Sequence, residues 1–194
     1  MPSESPPAQV DGLEPFRSYM SHVAERCGSP QGRAAIRSAL VDLDRPYRAY
    51  EHLLSRIPVT ASRESERAYI LTAAMYAQQA PNPRLGAAAT PAEPQTDPDD
   101  RWRNLGWSLA RAVSAQVLRK ETAQDRLALL ARQDFDGLVR DLPALIAHLR
   151  SANVPITWPV LLRDLTRWDR WPTDTARSWM RAYYQHTDDT TEGN

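Results

Sequence analysis

Arginine is the residue type in this sequence whose number and spacing could do chemistry. Arg163, Arg167 and Arg170 recur at positions i, i+4 and i+7, which places them on one side of a helix. A guanidinium group presents its donors in a planar fork that suits phosphate oxygens. The spacing therefore predicts a row of side chains that follows a nucleic-acid backbone, or else a solvated face in which Asp164 and Asp169 pair with these arginines.

Further basic residues recur at helical spacing or lie close together elsewhere in the chain, and we include them in the candidate nucleic-acid-binding set. The additional members are Arg33, Arg37, Arg63, Arg67, Arg111, Arg119, Lys120, Arg126 and Arg132. A basic surface distributed over several helices favours nucleic acid over a neutral ligand.

The formal net charge of zero conceals a segregation of the charged residues along the chain. Residues 1–12, 93–100 and 182–194 together contain nine acidic residues and no lysine or arginine, so the remaining residues carry a formal charge of +9. All but one of the 24 basic residues are arginine. The parts predicted to fold are therefore basic, which indicates a polyanionic partner.

A search for catalytic and metal-binding motifs is negative. The sequence has no phosphate-binding glycine loop, no G-x-S-x-G nucleophile motif and no H-E-x-x-H zinc motif. The four histidines are far apart, and the single cysteine, Cys27, has no partner for a disulfide. We therefore expect no enzymatic activity, no metal and no cofactor.

The hydrophobic pattern predicts an all-α fold of two small helical bundles joined by a Pro-rich loop. Apolar residues recur at helical spacing throughout residues 13–80 and 101–186, without convincing alternation of period two. Five prolines and four acidic residues interrupt residues 81–100, which we interpret as an acidic linker. Residues 1–12 are predicted to be a disordered tail and residues 187–194 an acidic tail.

Several local patterns predict where helices begin and what they bury. The segment from Thr122 to Asp125 resembles a helix N-terminal cap, Asp134 is predicted to open the next helix, and Pro143 to kink or split it. Three tryptophans on apolar stripes are expected in the core, and three off the stripes are expected to stack on bases or, as we favour, to dock a partner. The first set is Trp158, Trp168 and Trp179, and the second is Trp102, Trp107 and Trp171.

The sequence also bears on location. No run of eighteen apolar residues exists, and the N-terminal residues lack the basic and apolar regions of a signal peptide. These features predict a cytoplasmic protein without a membrane partner.

Four segments of the C-terminal half resemble the CasB family, the small subunit of the type I-E CRISPR Cascade complex. They are residues 105–111 (LGWSLAR), 126–132 (RLALLAR), 142–149 (LPALIAHL) and 154–168 (VPITWPVLLRDLTRW). The final helix has a tryptophan and a tyrosine pair, Trp179 and Tyr183–Tyr184, where the family has an aromatic-ended helix. In the first half the resemblance rests on residues 32–37 (GRAAIR) and on the segment around Tyr47 and Tyr50.

The resemblance implies a non-catalytic, all-helical subunit of two bundles. It implies that the partners are the large subunit and the backbone subunits of Cascade, a second copy of the chain, the guide RNA and the target DNA. The chain would then stabilise the hybrid of guide RNA and target, and the displaced DNA strand, through basic surfaces. Base pairing would read the sequence.

Two other classes of function remain open from the residues. The first is a helical DNA-binding transcription regulator, although the basic residues are spread over many helices rather than concentrated on one recognition helix. The second is a protein-only scaffold whose arginines pair with acidic partner proteins. The salt dependence of nucleic-acid retention and sequence-specific footprinting would separate these classes.

Overall fold

The computed structural model describes residues 12–78 and 102–188. In these two ranges every regular element is helical, which confirms the predicted all-α class. The helices are α1 (Glu14–Cys27), α2 (Pro30–Arg37), α3 (Tyr47–Leu53), α4 (Arg63–Ala77), α5 (Leu105–Ser114), α6 (Lys120–Leu130), α7 (Phe135–Ser151), α8 (Trp158–Arg167) and α9 (Pro172–Asp188). Short 3₁₀ turns at Ser38–Leu40 and Leu54–Arg56 extend α2 and α3.

Side-chain caps explain where several of these helices begin. The hydroxyl of Ser29 accepts a hydrogen bond from the Gly32 amide at 3.0 Å, and that of Ser62 from the Ser65 amide at 3.1 Å. The Asp134 carboxylate accepts from the Gly137 amide at 2.8 Å, as predicted for the opening of this helix. These bonds satisfy amides that the helices themselves cannot pair.

One local prediction was wrong, and another was wrong in part. Helix α6 begins at Lys120 with Arg119 as its N-cap, so Thr122 lies inside the first turn and does not cap the helix. Helix α7 is not split at Pro143, since it runs as one element from Phe135 to Ser151, and the kink stays a prediction. Leu142 and Leu145, on either side of the proline, are buried, and their packing holds the helix together across the missing amide.

Helix α4 is the centre of the N-terminal half, and α8 joins the two halves. All ten residues from Ala68 to Ala77 are buried, where α4 packs against α2 and α8. Helix α8 also packs against α1, so a helix of the C-terminal half covers the N-terminal bundle. The buried side chains of both halves consequently form one continuous core.

The C-terminal half is built on the pairing of α5 with α9. Trp168 and Trp179 are fully buried with ring centroids 4.8 Å apart, and Trp158 is buried against Tyr76. The prediction that these three tryptophans belong to the core is confirmed. The predicted linker of residues 81–100 and most of the two predicted tails lie outside the described residues, and the domain limits stay predictions.

Candidate nucleic-acid interface

The clearest exposed basic group lies on and beside α6. Arg119, Lys120, Arg126 and Arg132 are all at least partly exposed, and none of them forms an ion pair with a residue of the described ranges. Arg119 and Arg126 are seven residues apart and therefore share one face of the helix. We refer to these four residues as the α6 cationic group.

The position of the first two members is unusual for a helix. Arg119 is the N-cap of α6 and Lys120 is its first residue, with Glu121 as the acidic residue of the first turn. The N-terminus of a helix carries partial positive charge, so cations there are less favourable than acidic residues by a few tenths of a kcal/mol. The helix dipole therefore does not explain why cations occupy these two positions, and both side chains are exposed.

Arg111 is a fifth exposed cation, on the adjoining helix α5. It lies in the last turn of that helix, where a positive charge complements the helix dipole. It too lacks an ion pair within residues 12–78 and 102–188. Five of the twelve predicted residues are thus exposed, on or next to α5 and α6, without an ion pair among the described residues.

The predicted row of Arg163, Arg167 and Arg170 is not a uniform solvent-facing stripe, and because α8 ends at Arg167, Arg170 lies in the turn that follows the helix. Arg163 is only 16% exposed, and its Nε and Nη2 donate to one oxygen of the buried Asp164 at 3.0 and 2.8 Å. Arg167 is exposed, but partial burial and then the nearby charge of Arg163 lower the pKa of its guanidinium. Arg170 lies 4.8 Å from the ring centroid of Trp171. Arg167 and Arg170 therefore face solvent, whereas Arg163 is held by the fold.

Arg67 is likewise engaged inside the molecule. Its Nη2 donates to Asp136 at 2.7 Å, and its Nε lies 3.3 Å from the Asp44 carboxylate without hydrogen-bond geometry. The guanidinium also lies 5.3 Å from the ring centroid of Phe135. Because Asp44 belongs to the N-terminal half and Asp136 to α7, Arg67 connects the two halves.

We expect Arg67→Ala to lower the free energy of unfolding by about 1 kcal/mol, since both carboxylates are more than half exposed and the cation–π contact adds only a modest term. Arg63→Ala is the matched control, because Arg63 is 77% exposed and 3.4 Å from the same Asp44. Urea denaturation should show less than about 0.5 kcal/mol for that control. Equal effects of the two substitutions would contradict a connecting role for Arg67.

Arg33 and Arg37 both line a shallow cavity of about 340 Å³ at the start of α2. Nη2 of Arg33 donates to the carbonyl of Cys27 at 2.7 Å, so this side chain helps to close the C-terminus of α1. Arg37 is exposed. Arg33 and Arg37 therefore lie close together, as predicted, but the guanidinium of Arg33 is bound to the backbone of α1.

The sequence reasoning missed a group of arginines beside the off-stripe tryptophans. Arg103, Arg177 and Arg181 line a cleft between the start of α5 and α9, together with Trp102 and Trp107. Arg177 and Arg181 are four residues apart on α9, which was the available signal in the sequence. Trp102 and Arg103, which precede α5, are far in sequence from Arg177 and Arg181 on α9. Only the tertiary packing therefore shows that these residues line one cleft.

The candidate interface offers guanidinium groups, one ammonium group and indole rings. Within the described ranges no group of three or more His, Cys, Asp and Glu residues could hold a metal ion. Burial raises the pKa of the Cys27 thiol to about 11, despite the opposing effect of Arg33, and this favours an unreactive thiol at neutral pH. No helix of the described residues is long and apolar enough to cross a membrane.

In the described residues, the fold and these surfaces define a class: an all-helical protein whose exposed cations on and beside α6 form no ion pair within those residues. The comparisons identify the particular family. The family model of CRISPR-associated protein Cse2 matches residues 32–184, and the chain belongs to that family. The resemblance to the CasB family described above is thereby confirmed.

Solved structures agree with the family assignment. A chain from a structure of a CRISPR RNA-guided surveillance complex, pre-nicking, is 33% identical with a TM-score of 0.80, over 93% of this chain and 97% of that chain. A chain from another CRISPR RNA-guided surveillance complex is 31% identical with a TM-score of 0.73 and the same coverage. M. ruber CasB, at 22% identity and a TM-score of 0.73, again with the same coverage, shares the fold. No curated protein matches the chain.

Proposed function

We propose that the chain is a non-catalytic subunit of a CRISPR RNA-guided surveillance complex that binds nucleic-acid backbone. In this role it stabilises the hybrid of guide RNA and target and the displaced DNA strand. Its family membership and the complexes that contain the similar chains support the assembly. Its protein partners would be the large and backbone subunits of that complex and a second copy of the chain.

The observation that carries the nucleic-acid role is the α6 cationic group. Its four side chains reach solvent without counter-ions among the described residues, so binding a phosphate breaks no ion pair within that part of the chain. Each phosphate contact releases counter-ions and makes the affinity dependent on salt. Such contacts position a duplex without reading its sequence, which leaves recognition to base pairing.

The test replaces Arg119 and Arg126 with glutamate in the assembled complex. We expect the Kd for target DNA to rise about tenfold or more, because two charge-assisted hydrogen bonds to phosphate are removed. The slope of log K against log salt should fall by roughly 0.7–0.9 for each phosphate that is no longer bound. The loss of affinity should be the same for all guide sequences.

A matched control replaces Arg45 and Arg48, two exposed arginines outside the proposed interface, with glutamate. The net charge of this variant equals that of the test variant, so a purely long-range effect of charge would weaken both equally. Unchanged binding by the Arg119 and Arg126 variant would refute the proposed interface. A loss confined to particular target sequences would favour a sequence-reading regulator, and a loss of subunit assembly would favour a protein-only scaffold.

A further inference from the structure

A cleft of about 760 Å³ lies where the N-terminal end of α5 meets one face of α9. Trp102, Arg103 and Trp107 line one wall, and Arg177 and Arg181 line the other. The cleft contains none of the twelve cations predicted from the sequence, and it does not include the α6 cationic group. It is therefore a separate feature of the surface.

Two contacts fix the walls of this cleft relative to each other. The buried side chain of Asn104 accepts hydrogen bonds from the amides of Gly106 and Trp107, at 3.0 and 3.3 Å, and so begins α5. Its Nδ2 donates to the carbonyl and the hydroxyl of Ser178 on α9, at 3.2 and 3.1 Å. One buried side chain thus holds both helices, and the cleft is formed before any ligand arrives.

The walls combine aromatic surface with positive charge. Trp102 is 61% exposed at the cleft, and the guanidinium of Arg103 lies 5.5 Å from the ring centroid of Trp107. Arg177 is 3.3 Å from Asp174, but both side chains are about two-thirds exposed, so this ion pair is weak and easily exchanged. Arg181 is exposed one turn further along α9.

This combination suits a ligand that has both a flat aromatic surface and anionic groups. An unstacked nucleobase stacks on an indole ring, and the phosphates on either side of it bind guanidinium groups. A duplex offers no such base, because its bases are already stacked and paired. A carboxylate-bearing segment of a protein would engage the arginines but gains less from an exposed indole than a nucleobase does.

We propose that the cleft binds single-stranded nucleic acid, with one base stacked on Trp102 and adjacent phosphates bound by Arg177 and Arg181. The inference rests on the proposed function, and it adds a site on this chain at which a single strand binds through both a base and its phosphates. The cleft tolerates any base, because stacking and phosphate contacts do not read base edges.

The experiment measures binding of fluorescein-labelled oligothymidylate of about twelve nucleotides to the full chain by anisotropy, at low salt. An oligonucleotide of the same length with abasic residues provides the comparison, since it retains the phosphates and lacks the bases. We expect Trp102→Ala to weaken binding of oligothymidylate about tenfold, as removal of a stacked base does, and to leave the abasic strand unaffected. Trp102→Phe should recover most of the affinity.

Two further variants separate the contributions of ring and charge. Arg177→Ala with Arg181→Ala should weaken binding of both oligonucleotides and reduce the salt slope by roughly 0.7 for each phosphate that is no longer bound. Tyr47→Ala is the control for loss of an exposed ring, since Tyr47 is 72% exposed on α3 and lies outside the cleft, and this variant should bind as the parent chain does.

Three results would overturn the inference. The first is that the parent chain binds neither oligonucleotide. The second is that Trp102→Ala weakens both oligonucleotides equally. The third is that the variant binds oligothymidylate normally but fails to retain a protein subunit in the assembled complex, which would assign the cleft to a protein partner. None of these results affects the proposed function, which is judged by target binding of the complex with Arg119 and Arg126 replaced.

Discussion

Gly106→Ala should lower the free energy of unfolding by roughly 3 kcal/mol, because α5 and α9 touch through their backbones at this point. A Cβ atom built on Gly106 would lie 1.8 Å from the carbonyl oxygen of Trp179, a distance that only separation of the two helices can relieve. Separation would weaken the packing of the fully buried Leu109 and Trp179. For a chain of this size the expected fall in Tm is about 10 °C, measured by thermal unfolding.

Gly137→Ala is the matched control for this prediction. Gly137 is buried in the first turn of α7, but its added Cβ would meet side-chain atoms of Gln133 at 2.8 and 2.9 Å rather than backbone. The nearest of these atoms is the Gln133 Cβ, which does not move away by side-chain rotation, so Gln133 has to shift slightly. Alanine is the better helix former by about 1 kcal/mol, which offsets part of this cost, and we expect a loss of about 1 kcal/mol, clearly below that at Gly106. If both alanine variants unfold at similar temperatures, the backbone contact between α5 and α9 does not limit stability.

The positions of most helices follow from patterns that are local in the sequence. Apolar residues at helical spacing, caps such as Ser62 and Asp134, and prolines at helix starts all act within a few residues. The two departures have different physical origins. At Pro143 the tertiary packing of α7 keeps the helix from being split, and at Thr122 a cap-like pattern lies inside a helix that begins two residues earlier.

The candidate interface was less predictable than the helices, because the sequence does not show which group a charged side chain contacts in the folded protein. Arg163, Arg167 and Arg170 share helical spacing, but Arg163 bonds to Asp164 and only the other two face solvent. Asp164 lies three residues after Leu161, on the buried face of α8, so its burial was visible in the spacing. The spacing did not reveal its hydrogen-bond partner, Trp179 on α9, which makes this burial possible.

Asp164→Ala should be strongly destabilising, with a loss in the free energy of unfolding of about 3 kcal/mol or more. The Asp164 carboxylate is buried, accepts a hydrogen bond from Nε1 of Trp179 at 2.7 Å and binds Arg163 at 2.8 Å. Removal leaves a buried indole N–H and a largely buried guanidinium without their acceptor. Asp169→Ala, at an exposed acidic residue nearby, should change the free energy of unfolding by less than about 0.5 kcal/mol in urea denaturation.

Asp164→Asn separates the hydrogen bond of this residue from its charge, through the pH dependence of stability. Burial, the largest cause, raises the pKa of the Asp164 carboxyl above its ordinary value of 3.8, although Arg163 and the Trp179 hydrogen bond oppose the rise. The native state therefore holds this proton to a higher pH than the unfolded chain does, and the stability contributed by protonation is lost as pH rises from about 3.8 through the native pKa. Asparagine keeps an acceptor for Trp179 and does not titrate, so the parent chain's stability relative to Asp164→Asn should be greatest at the acidic end and decline across that interval. A relative stability that instead increases with pH there would mean that Arg163 outweighs burial, and that the ionised pair is a net source of stability.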